Sequence, residues 1–145
     1  MTSPDPFNLE RFVDAQQGTV EIALAELAAG SKQSHWMWFI FPQLRGLGLS
    51  PTAHLYGLVS LDEARAYLQH PLLGARLHQC VEALAPWATR RSAEQIFGPV
   101  DAVKLRSSLT LFDKIEPNGP FEEGLTAFFN GVPDERTLAL LNAPR

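Results

Sequence analysis

Ten consecutive residues constrain this chain more than any others: Ser34-His35-Trp36-Met37-Trp38-Phe39-Ile40-Phe41-Pro42-Gln43. They hold two of the three tryptophans and an unbroken apolar run from Trp36 to Phe41. Burying that much apolar surface is worth several kcal/mol, so the run belongs at the centre of the fold. Its polar ends, His35 and Gln43, are free to face a pocket. A short apolar run does not by itself separate buried helix from buried strand. Ser34 as an N-cap, Pro42 as a stop and helical punctuation on both sides favour helix.

That punctuation runs the length of the chain. Asp5-Pro6 reads as a cap with proline in the first turn, followed by Leu9, Phe12 and Val13 at helical spacing. Gly18-Thr19 opens a second helix carrying Val20, Leu24 and Leu27, and Gly30 ends it. Residues 43–59 are irregular, with a turn of helix after Ser50. Ser60-Leu61-Asp62-Glu63 spells a capping box, and His70-Pro71 interrupts the helix it starts. Leu73, Leu77, Val81 and Leu84 form the next stripe, ended by Pro86. Ser92 caps a short helix that closes at Gly98, and a long helix runs from Pro99 to about Asp113. Phe121, Leu125, Phe128 and Phe129 make a stripe stopped by Asn130-Gly131, and Pro133-Asp134 starts a final helix with Leu138 and Leu141. No alternating run reads as a strand. The expected fold is all-α: one compact domain over residues 1–145, about seven helices around one core, with residues 1–6 and 142–145 loose.

Composition narrows the functional classes. A net charge of −4 argues against a general nucleic-acid or membrane-surface binder, and Arg90-Arg91 is the one basic doublet. The single cysteine, Cys80, rules out an intrachain disulfide and sits on an apolar helical stripe, where inert packing is the expected role. Met1–Pro6 lacks the hydrophobic segment of a secretory signal, and no apolar run approaches the ~18 residues of a membrane span. The expected location is cytoplasmic. His35, His54, His70 and His78 offer no metal-ligand spacing, no dinucleotide fingerprint is present, and no metal or cofactor is expected.

The long helix carries the candidate chemistry. Leu105, Leu109 and Phe112 share a core face, and a second line runs through Val100, Lys104, Ser107 and Leu111. A lone ammonium among aliphatics either snorkels to water or meets a partner, a carboxylate or a ligand anion. Arg106, Thr110 and Asp113 share a more polar face. The ligand-binding reading makes Lys104 and Arg106 anion clamps, Gln43 and Ser107 orienting groups, and Trp36 or Trp38 a pocket wall. His35 is its acid–base candidate. The plainer reading is a set of polar groups that satisfy one another inside the fold, with Trp36 and Trp38 as core.

Four segments together carry a resemblance: the tryptophan run, Glu63-Ala64-Arg65-Ala66-Tyr67-Leu68-Gln69-His70-Pro71-Leu72-Leu73-Gly74, Lys104-Leu105-Arg106-Ser107-Ser108-Leu109-Thr110-Leu111-Phe112, and Asp134-Glu135-Arg136-Thr137-Leu138. Over nearly its whole length the chain resembles a bacterial family catalogued as domain of unknown function 1810, whose members often carry the label calpastatin. The resemblance implies a compact helical domain and no established activity, so no catalytic residue carries over. A calpain inhibitor would be disordered and poor in aromatics, and this chain is neither. A loose similarity to ADP-ribose-processing helical domains makes hydrolysis or glycosidic cleavage the first reaction class to try. The expected partner is a small anionic or nucleotide-like ligand that His35, Lys104 and Arg106 meet in one hollow. The alternative is a non-enzymatic protein-interaction module with an exposed apolar patch.

Overall fold

The computed structural model describes residues 5–142. Ten α-helices follow one another: α1 Glu10–Gln16, α2 Val20–Ala28, α3 Met37–Ile40, α4 Pro51–Tyr56, α5 Leu61–Gln69, α6 Leu73–Glu82, α7 Ala93–Phe97, α8 Pro99–Ile115, α9 Pro120–Phe129 and α10 Glu135–Asn142. A 3-10 turn, Ala85–Trp87, follows α6. Among the described residues there is no strand; Leu44 and Leu58 form one isolated parallel bridge. The fold is all-α, as expected. Counted with α3, α4 and α7, which are only 4, 6 and 5 residues long, the helices among the described residues number ten rather than about seven. The expected looseness of the termini falls in part on residues 1–4 and 143–145, which lie outside the described residues.

Local chemistry sets the boundaries. Asp5 acts from further back than a standard cap, its carboxylate accepting the Leu9 and Glu10 amides at 2.7 and 3.0 Å. Ser50 and Ser60 cap α4 and α5 through the Ala53 and Glu63 amides. The reciprocal half of the expected box at Ser60 does not form: Glu63 turns one oxygen to the Val59 amide and the other to Arg11. A complete capping box stands instead at Ser92 and Gln95. Asn130 adopts a left-handed conformation (φ 55°) and ends α9.

The central layer is α8. It packs on α5, α7, α9 and α10, and Leu105, Leu109, Leu111 and Phe112 are all buried along it. The tryptophan run yields a single helical turn rather than a helix from Ser34. Ser34, Gln33 and Trp36 are all hydrogen-bonded to Glu26 of α2, which holds residues 33–36 outside helical register, and Pro42 follows the turn. Trp36 and Phe41 are wholly buried, with the Phe97 ring edge-on to both at 6.3 and 6.0 Å. Cys80 is buried in the same core, and burial pushes its thiol up to about 12.

Candidate functional site

The polar residues flanking the tryptophans assemble around two carboxylates. Glu26 accepts hydrogen bonds from the Gln33 and Ser34 amides, the Ser34 hydroxyl and the Trp36 indole, at 2.6 to 3.0 Å. Partial burial works against its charge, yet these donors outweigh it and hold the carboxyl at about 2. Asp101, in the first turn of α8, is shared by two ammoniums, with Lys32 at 2.8 Å and Lys104 at 3.0 Å. Here too burial raises the pKa, but the two lysines more than compensate and lower it.

Each ammonium also rests on an indole. Lys32 Nζ lies 5.0 Å from the Trp36 ring centre and Lys104 Nζ 4.2 Å from that of Trp38. Lys104 has therefore met a carboxylate partner, one of the outcomes its helical position left open. The partner was legible: Asp101 and Lys104 stand three residues apart on one helix. Trp38 in turn fits over Gly48, where an added Cβ would sit 3.1 Å from its ring and 2.7 Å from the Ala53 Cβ.

The other candidates take different positions. His35 is exposed. Ser107 is buried and donates its hydroxyl back to the Val103 carbonyl within α8. Gln43 is buried; its backbone carbonyl accepts the Leu58 amide beside the isolated bridge. Arg106 points away from Lys104, as two positions apart on a helix require, since each residue turns about 100°. Its Nε donates to the Val132 carbonyl at 2.9 Å, and its guanidinium lies 5.5 Å from the Phe129 ring centre.

Arg106 has a companion that the sequence reading did not single out. Arg136 of α10 donates to the Leu47 carbonyl at 2.9 Å, so the 46–49 loop touches Trp38 through Gly48 and Arg136 through Leu47. Arg106 and Arg136 line one concavity of about 240 Å³ with Val132, Pro133, Asp134 and Glu135. Among the described residues neither guanidinium pairs with a carboxylate within 4.0 Å. Asp134 Oδ2 accepts from the Thr137 amide and hydroxyl at 2.8 and 2.6 Å. The signal for Arg136 lay in the last quoted motif, Asp134-Glu135-Arg136-Thr137-Leu138, where a cation follows a helix cap. Neither His35, Lys104 nor either tryptophan lines this concavity.

No group of three or more His, Cys, Asp or Glu side chains among the described residues is arranged to hold a metal ion. Among the described residues no helix is long and apolar enough to cross a membrane. Among curated proteins, none matches the chain. The crystal structure of a conserved hypothetical protein from Mycobacterium tuberculosis is similar over 97% of this chain and 100% of that one, at 52% identity and a TM-score of 0.92. Agreement at that level extends the helical architecture to a second protein and adds no activity. A family model described as Protein of unknown function (DUF1810) matches residues 6–141, and the chain belongs to that family.

Proposed function

We infer that the chain binds a small anionic ligand in the concavity lined by Arg106 and Arg136. One observation carries this reading: two guanidiniums line the same hollow from different elements, each held by a loop carbonyl and, among the described residues, neither within 4.0 Å of a carboxylate. Guanidinium forks held in place by backbone are suited to carboxylate or phosphate oxygens, and anchoring lowers the entropy lost on binding. Glu135 on the same wall is an acceptor for a hydroxyl of the ligand, which favours a sugar-like or nucleotide-like body over a bare ion. Lys104 supports the site indirectly, through Trp38 and the 46–49 loop. Hydrolysis draws no support from this hollow, because His35 does not line it.

Titration calorimetry with ADP-ribose, AMP and glucose 6-phosphate tests this reading. At least one should bind, with affinity falling tenfold or more in Arg106→Met and in Arg136→Met. Equal affinity in both variants would overturn it. The second reading, an interaction module, rests on Leu49, Val100, Val103 and Val132, which are all exposed. A chain that binds none of the three compounds favours that module.

A further inference from the structure

The one basic doublet of the sequence, Arg90-Arg91, lies outside the site just described. The geometry points to a second binding site there, for the phosphate monoester group of a small molecule, in a concavity of about 370 Å³ between the Ala88–Ser92 turn and the last turn of α9. Its polar lining consists of Thr89, Arg90, Arg91, Ser92 and Gln95, and Ala127 and Phe128 supply an apolar wall. In a chain with 16 acidic residues, no carboxylate among the described residues lines this hollow. Among the described residues neither guanidinium forms an ion pair.

The cations are held rather than loose. Gly30 has φ +68° and lies against Trp87, where a Cβ would come within 2.6 Å of the indole. That close approach lets the Trp87 Nε1 donate to the Leu27 carbonyl at 3.1 Å, which fixes the ring. The Arg90 guanidinium then rests 4.9 Å from the ring centre. Arg91 donates through one nitrogen to the Gln95 carbonyl at 3.0 Å, leaving the rest of its fork open. The Ser92 hydroxyl accepts the Gln95 amide at 3.1 Å, so its own proton is free to donate.

Two positive charges and this surplus of donors match a dianion with three terminal oxygens better than a carboxylate with two. The volume falls in the range of small-molecule sites.

The test is an NMR titration of the 15N-labelled chain with phenyl phosphate and, separately, phenyl sulfate, a monoanion of similar shape. Saturable shifts are expected at the amides of residues 88–92 and 95, with phenyl sulfate binding at least fivefold more weakly. Arg90→Met and Arg91→Met should each weaken phenyl phosphate at least tenfold, and Arg91→Lys, which keeps the charge without the fork, should also weaken it. Arg106→Met should leave this binding unchanged, which separates the site from the one proposed above. Both arginines are exposed, so unchanged amide spectra elsewhere will report an intact fold. Absence of saturable shifts at these amides, equal binding by Arg90→Met and Arg91→Met, or equal binding of phenyl sulfate would overturn the proposal.

Discussion

At the scale of single residues, the side chains around the tryptophans are committed to one another. Glu26 is the plainest case, since one carboxylate gathers four donors from residues 33, 34 and 36. Replacing it, Glu26→Gln, should lower stability by about 1–3 kcal/mol at pH 7, measured by urea denaturation. The pH dependence has a definite sign. A carboxyl held at about 2 in the fold and near 4.5 in the unfolded chain stabilises fully above 4.5 and loses that contribution as pH falls toward 2. The gap between the wild type and Glu26→Gln should therefore narrow across that interval. Lys104→Met should cost no more than about 1 kcal/mol, because Lys32 still neutralises Asp101 and the surviving aliphatic stem still packs on Trp38. A loss above about 3 kcal/mol would show that Lys104 alone holds that carboxylate.

The scale of elements is where the sequence was most legible and where it misled. Ser60, Ser92, Gly30, His70-Pro71 and Asn130-Gly131 mark helix ends that the structure keeps, because caps and breakers act within a few residues. The tryptophan run misled because what stops its helix comes from Glu26 across an irregular segment, and no local pattern announces it. Arg11 was invisible for the same reason. It ties α1 to the segment before α5 by donating to the Leu55 and Gly57 carbonyls and pairing with Glu63 at 2.8 Å. The Glu63 side chain is 1% exposed, so Arg11→Met would strand a buried charge. A loss of about 3–5 kcal/mol is expected from chemical denaturation, against a small effect if the pair were surface-like.

For the molecule as a whole, all-α architecture followed from punctuation and apolar stripes, whereas the binding hollow did not. The sequence places both candidate clamps on α8, yet Lys104 and Arg106 diverge around its axis. The companion of Arg106 is Arg136, thirty positions later in the chain and brought to it by the docking of α10 against α8. Such convergence depends on how helices dock, which periodicity does not encode. The account rests on that hollow. Its most direct test is the melting temperature of the wild type, Arg106→Met/Arg136→Met and Arg90→Met/Arg91→Met with AMP, ADP-ribose and glucose 6-phosphate. A ligand at about a hundred times its Kd adds ~2.7 kcal/mol, a shift of several degrees. At least one compound should raise the melting temperature of the wild type and of Arg90→Met/Arg91→Met, and should raise that of Arg106→Met/Arg136→Met by clearly less, any remainder for AMP or glucose 6-phosphate coming from the Arg90-Arg91 hollow. An undiminished shift in Arg106→Met/Arg136→Met, or no shift in the wild type with any of the three, would contradict it.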